Sequence, residues 1–355
     1  MENKLKILKI NEADIIQSLL DKCEKNDVFL SIDYLKLFSN YLGYEAIYVF
    51  YGNEKNYILV PYLKRLIQEF NLKYYDLISP WYYGGPVYFS EDESNLNKLF
   101  NEFIGVFSEY CQNNNIVTEF QRFHPLLKNY QLYGNNSNVF FDRKIVYLDL
   151  KKDLETLKKE YTRHTRKNIN KALSNNLKVN SVETKESIHK FINMYIKSMK
   201  NKNARDFYHF NETFFSLFFE NFKGKLKIFN VEYKGEVICS SVELGDYGIL
   251  HDYLRGANPE SLLKRPNDIL INEIIHWAKE RGYKYFMLGG GSSSDENDGI
   301  FRFKKSFSST TADFYIYKKI HNLNKYQELC KQNKKDIKTL SFEKANYFPE
   351  YFQMK

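Results

Sequence analysis

The chain has no run of about 18 apolar residues, so nothing in it is long enough to cross a bilayer as a helix. Met1 to Glu12 is charged and lacks a continuous apolar core, so no secretory signal is expected there. Only four cysteines occur, Cys23, Cys111, Cys239 and Cys330, far apart and without metal-ligand spacing. The expectation is a cytoplasmic protein with reduced thiols and no metal. Three further signatures are missing. There is no Gly-x-x-x-x-Gly-Lys-Ser/Thr phosphate loop, no His-Glu-x-x-His and no Gly-x-Ser-x-Gly elbow, which sets aside the commonest nucleotide, zinc and serine-nucleophile chemistries.

What remains is a globular composition, 43% hydrophobic and 27% charged over 355 residues, long enough for two domains. Tyrosine and phenylalanine are abundant at 29 each. The net charge of +8 suits an acidic partner: a nucleotide, a coenzyme phosphate, tRNA or an anionic membrane face touched peripherally.

Along the chain, Glu12 to Cys23 reads as a helix, and Glu45 to Tyr51 with Asn56 to Lys64 as a hairpin. Asp76 to Ser90 reads as extended segments broken by Ser-Pro-Trp-Tyr-Tyr-Gly-Gly-Pro. Leu99, Phe103, Val106, Phe107 and Tyr110 carry a helical period over Asn95 to Gln112, and Ile116 to Phe120 follows as a strand. After a strand at 145–150 comes a long basic helix with Leu154, Leu157, Tyr161, Ile169 and Leu173 on one face. Arg163, Arg166 and Asn170 share another face of it, readable as a solvated surface or as a phosphate clamp.

The second half has a clearer grammar. Leu226 to Tyr233 and Glu236 to Leu244 flank the turn Lys234-Gly235, Tyr247 to Leu254 is a third strand, and Asp268 to Arg281 is a helix stopped by Gly282. Tyr283 to Leu288 is then a strand that runs into Gly289-Gly290-Gly291, and Phe303-Lys304-Lys305-Ser306-Phe307 comes after a polar loop. The order β-β-β-α-β is an antiparallel meander and then a crossover to a parallel strand. Its helix N-terminus at Asn267 and Asp268 offers free N–H groups and a positive dipole end to an anion. Three glycines permit close backbone approach or positive φ. Lys304 can place a cation beside them. On the third strand His251 and Tyr253 share one face and Asp252 takes the other; an imidazole suits general-base work near neutrality. A half-buried structural histidine is the rival reading of His251, and His124 is expected to be structural.

Val146-Tyr-Leu-Asp-Leu150 with Arg163-His-Thr-Arg-Lys-Asn-Ile-Asn-Lys-Ala172, Pro266 to Gly291 and Phe303-Lys-Lys-Ser-Phe307 together resemble FemABX-like proteins of the GNAT acyltransferase superfamily. Tyr82-Tyr-Gly-Gly-Pro86 and Phe123-His-Pro125 resemble members encoded beside surface-polysaccharide genes. The resemblance spans about residues 45 to 320. It implies an α/β protein of α+β mixed sheets: two tandem GNAT-like domains, 1–150 and 151–320, with a cleft at their junction. A helical tail, 321–355, would pack back on the body.

It further implies an acyltransferase of the cell envelope, moving an acyl group from acyl-CoA to an amine or hydroxyl of a sugar or peptide precursor of surface polysaccharide or cell wall. That substrate would be anionic and nucleotide- or lipid-linked. Aminoacyl-tRNA is the alternative donor, and a non-catalytic RNA- or saccharide-binding protein of the same fold the second alternative. On this reading Lys304, His251 and Tyr253 are catalytic. Arg255, Asn267, Asp268, Gly289, Gly290 and Gly291 bind the donor, and Tyr83, Arg163, Arg166 and Arg302 the acceptor. The sequence departs from the usual coenzyme loop, because Arg255-Gly-Ala-Asn-Pro259 only partly matches it.

Overall fold

The computed structural model describes residues 2–67, 72–181, 184–201, 208–332 and 348–352. The chain forms two compact units, 1–142 with 314–355, and 143–313. In chain order the first unit contains β1 (Lys4–Lys9), α1 (Ala13–Lys22), α2 (Ile32–Leu42), β2 (Glu45–Gly52), β3 (Asn56–Ile67), β4 (Tyr74–Ile78), β5 (Val87–Ser90), α3 (Leu96–Asn113) and β6 (Ile116–Arg122). The chain enters the second unit within β7 (Val139–Asp149), with α4 (Leu154–Glu160), α5 (Arg163–Ser174), β8 (Lys178–Ser181), α6 (Lys185–Asn201) and α7 (Glu212–Asn221) after it. Next come β9 (Leu226–Tyr233), β10 (Glu236–Asp246), β11 (Ile249–Ala257), α8 (Pro266–Glu280), β12 (Tyr285–Gly289) and α9 (Gly299–Lys305). The chain returns to the first unit within β13 (Thr311–Ile320) and ends its described helices with α10 (Leu323–Gln332).

The same grammar appears twice. In the first unit the meander β2-β3-β4 is succeeded by α3 and by β6, which lies parallel to β4. In the second, β9-β10-β11 is succeeded by α8 and by β12, parallel to β11. Each unit therefore has a mixed sheet, as expected. The bounds differ from 1–150, 151–320 and 321–355. β13 pairs with β6 from Ile316↔Arg122 to Ile320↔Thr118, so β13 and α10 belong with the first core. α10 adds Tyr326, Leu329 and Cys330 to a cluster with Val117, Phe348 and Tyr351.

Each unit has its own core. Leu99, Phe100, Phe103 and Phe107 of α3 bury against Val49, Ile58, Val60 and Tyr62 in the first. In the second, Ile269, Leu270, Ile274, Ile275 and Ala278 of α8 pack on Val231, Cys239, Leu250 and Phe286. Each such large side chain contributes about 1.5–3 kcal/mol by leaving water. α8 stops where the sequence says it should. Gly282 has φ of 78°, its N–H reaches the Lys279 carbonyl, and Tyr283 N–H reaches that of Ala278.

The long basic helix is instead two helices. Tyr161 is extended, Thr162 accepts a bond from Thr165 N–H as the cap of α5, and its own N–H donates to the Ser306 carbonyl at 2.9 Å. Leu173, placed on the apolar face by periodicity, is 53% exposed. Side-chain capping by a threonine competes with helix continuation, and the apolar spacing alone does not register it.

Candidate active site

The parallel ladder between β11 and β12 runs from Ile249↔Tyr285 to His251↔Met287. β11 continues to Ala257 and β12 to Gly289, and no further pair joins them among the described residues. The two strands thus part just where the sequence places its chemistry. On its other side β11 carries an extra residue. Val242 faces Leu254 and Glu243 faces Asp252 across the β10 ladder, so Tyr253 is inserted. An inserted residue resets the alternation of a strand. Asp252 and Arg255, three apart, thereby reach one another, with Arg255 Nη2 2.7 Å from Asp252 Oδ1.

Lys304 enters from α9. Asp298 caps that helix, accepting from Ile300 N–H at 2.9 Å, from Phe301 N–H at 3.0 Å and from the Ser292 hydroxyl. The Ser292 bond, seconded by these amides, brings the Asp298 carboxyl down to about 2. Phe307 is buried and meets Phe303 edge-on, fixing the last turn. Lys304 Nζ donates to the Gly290 carbonyl at 2.9 Å. Burial brings its ammonium down to about 8, with Asp252 opposing the shift, Arg255 adding to it and Asp298 opposing it. At pH 7 it remains mostly a cation, about ten to one.

The three glycines make room for protein side chains, each for its own reason. Gly289 has φ of 84°, and a Cβ there would lie 3.1 Å from Lys304 Nζ. At Gly290 it would meet Arg143 Cδ at 3.0 Å, and at Gly291 the Asp298 carboxylate at 2.6 Å. Arg143 in turn donates to the Gly291 carbonyl at 3.1 Å.

The structure brings Lys304, Arg255 and the three glycines together with Asp252 and two residues that sequence reasoning missed, Glu243 and Ser241. Glu243 is fully buried, and neither of its oxygens nor the Ser241 hydroxyl has a well-directed hydrogen bond. Burial, then the Asp252 carboxylate, pushes the Glu243 carboxyl well above the usual range, with Arg255 and Ser241 opposing. Arg255 is held above its ordinary value, burial being outweighed by the Asp252 and Glu243 carboxylates. A glutamate in the middle of a strand otherwise buried along its length was the available signal, since an ionisable side chain there needs a reason.

Other expected residues lie elsewhere. Arg255 is in β11, not in a loop, because that strand pairs with β10 as far as Cys239↔Ala257. Gly256 serves packing: a Cβ there would lie 2.8 Å from Tyr195 N of α6. His251 is buried and, by alternation before the inserted residue, faces away from Asp252. Tyr253 stacks on Phe218 of α7 with centroids 5.1 Å apart. The side chains of Asn267 and Asp268 turn into the protein. Asn267 accepts from Cys239 Sγ at 3.5 Å, and Asp268 accepts from Asn168 at 3.0 Å, its carboxyl raised by burial.

Arg163 and Arg302 are exposed, as is Arg166, whose guanidinium donates to the Tyr161 carbonyl at 2.6 Å and so tidies the break before α5. Tyr83, in the first unit, is buried with its ring edge-on to those of His124, Phe314 and Phe29. His124 accepts from Leu127 N–H through Nδ1 and faces Asp27 through Nε2 at 3.4 Å, both side chains being buried. All four cysteines are buried and outside any disulfide.

Each unit thus carries a meander, a crossover helix and a strand parallel to the last strand of the meander. Residues 160–305 match the family model for an acetyltransferase (GNAT) domain. Among solved structures the chain is similar to FemX, at 13% identity and a TM-score of 0.65, over 94% of this chain and 99% of that one. It is also similar to L-PGS from Bacillus licheniformis, at 14% identity and 0.53, over 90% and 96%. A third likeness is to a tandem GNAT protein from the clavulanic acid biosynthesis pathway, at 7% and 0.50, over 90% and 99%. At these identities the likeness is one of fold. No curated protein matches the chain. No described helix is long and apolar enough to cross a membrane.

Proposed function

We propose that the protein is an acyltransferase that moves an acyl group from acyl-CoA to an amine or hydroxyl of a sugar or peptide precursor of surface polysaccharide or cell wall. The observation that carries this reading is Lys304, a partly buried cation fixed on the Gly290 carbonyl where β11 and β12 part. The unpaired edges of the two strands suit an amide-bearing donor chain laid alongside them. At the opening of α8 the Asn267 N–H suits a phosphate, whereas Pro266 has no N–H and those of Asp268 and Ile269 donate to the Arg265 carbonyl.

The acceptor's lone pair attacks the thioester carbonyl, a C–N or C–O bond forms, the C–S bond breaks and the coenzyme leaves as its thiolate. Negative charge builds on the carbonyl oxygen, and a fixed cation there is worth about 3–4 kcal/mol. Release of free thiol from acyl-CoA, dependent on an added amino-sugar or peptide precursor and lost in Lys304→Ala, tests the proposal. Transfer within a few-fold of wild type in Lys304→Ala refutes the assignment of Lys304.

A second reading keeps the fold and takes aminoacyl-tRNA as donor. The likeness to FemX and to a putative lysylphosphatidylglycerol synthetase supports it. Charged tRNA in place of acyl-CoA in the same assay separates the two.

A further inference from the structure

We propose that Glu243, beside the Asp252–Arg255 pair, takes the proton that the acceptor gives up during acyl transfer. The inference rests on the acyltransferase reading of the site. An amine or hydroxyl that attacks a carbonyl must lose one proton for each bond it forms. His251 faces away from Asp252 and the ring of Tyr253 lies on Phe218, so the two residues that sequence patterning favoured for this task are directed elsewhere. Asp252 is already engaged by a guanidinium, with Arg255 Nη2 2.7 Å from its Oδ1.

Glu243 differs in every respect that matters. It sits directly across from Asp252 at the inserted residue of β11, with Ser241 facing Arg255 two residues along. It is fully buried, and neither of its oxygens has a well-directed hydrogen bond. A buried carboxyl so placed costs about 1–3 kcal/mol or more, a cost that structure alone does not require, since leucine or glutamine would fill the place. The charged groups around it are Asp252 and Arg255 on β11 and Lys227, its register partner on β9. Lys304 approaches Asp252 and Arg255 from α9.

Burial, and after it the facing Asp252 carboxylate, make the Glu243 carboxyl readily protonated. In the proposed cycle ionised Glu243 receives the acceptor's proton through water admitted where the strands part. The carbonyl oxygen's developing charge is met by Lys304, the thiolate departs, and Glu243 returns its proton to solvent. No oxidant, reductant or further reactant is needed.

The test compares wild type, Glu243→Gln and Glu243→Asp with acetyl-CoA as donor and glucosamine 1-phosphate as acceptor, measuring kcat, KM and the pH profile. Glu243→Gln is expected to lower kcat by about 10²–10⁴-fold, to leave both KM values within about threefold, and to remove the acidic limb of the kcat profile. Glu243→Asp keeps that limb at reduced kcat, which also serves if the glutamine variant fails to fold. A kcat within threefold of wild type in Glu243→Gln, or an acidic limb that survives the change, overturns this inference and leaves the acyltransferase reading standing. No transfer by the wild type overturns the acyl-CoA reading and this inference together.

Discussion

Replacing Lys304 by methionine should make the protein more stable and inactive at once. Burial brings the ammonium from 10.5 to about 8. Each unit of depression is about 1.36 kcal/mol of differential interaction, so holding the charge in place at neutral pH costs at most about 3 kcal/mol. Methionine keeps the apolar stem between the same neighbours and removes that cost. It also removes the bond to the Gly290 carbonyl, worth about 1–3 kcal/mol for a charged donor. The expected net gain is about 1 kcal/mol, or about 2–4 °C in Tm for a unit of this size.

The sign comes from proton counts. Between pH 8 and 10.5 the unfolded chain holds a proton on Lys304 that the folded chain has released, so the wild type gains stability as pH rises through that window. The methionine variant lacks this gain, and its advantage should shrink and disappear by about pH 10.5. Thermal unfolding by circular dichroism at pH 6.5, 8 and 10 reads both parts. A variant less stable than wild type at pH 6.5, or an advantage unchanged at pH 10, refutes the argument that Lys304 is a desolvated cation.

Two further outcomes rest on particular contacts. Gly291→Ala places a methyl group 2.6 Å from the Asp298 carboxylate and should uncap α9, costing about 1–2 kcal/mol and most of the transfer activity; an unchanged Tm and rate would refute it. In the first unit, burial tends to raise the Glu119 carboxyl, but His321 at 3.1 Å, Tyr62 and Gln121 outweigh it and hold it below the usual carboxylate range. Its stabilising contribution is present above pH 4.5 and is lost as pH falls below it, so Glu119→Gln should flatten the acid limb of the first unit's unfolding curve; an acid limb as steep as wild type's would refute the assignment.

Much of the second unit was legible because its signals are local. The hairpin turn at Lys234-Gly235, the α8 stop at Gly282 and the apolar side of α8 each depend on residues within a few positions of one another. The break between α4 and α5 was not, because a distant carbonyl on Ser306 holds Thr162. Arg255 was misread as a loop residue because glycine, asparagine and proline come after it, whereas the ladder with β10 carries the strand on to Ala257. Lys304 could be found from its flanking phenylalanines. Glu243 gave a local signal as an ionisable residue inside a buried strand, but its neighbour Asp252 is opposite it only after a register shift that side-chain alternation does not predict.

That register shift also changes what kind of mutation threatens the protein. Asp252 and Arg255 share a side of β11 because one residue more stands between the rungs than a regular strand would hold. The pairing is therefore written in the length of the segment as much as in its letters. Many side chains could replace Tyr253 and leave the pair intact, while removing that one residue would turn Arg255 to the opposite face with every ligating group still present in the sequence. A comparison that scores positions by identity would rate such a deletion mild, and one that counts residues between rungs would not.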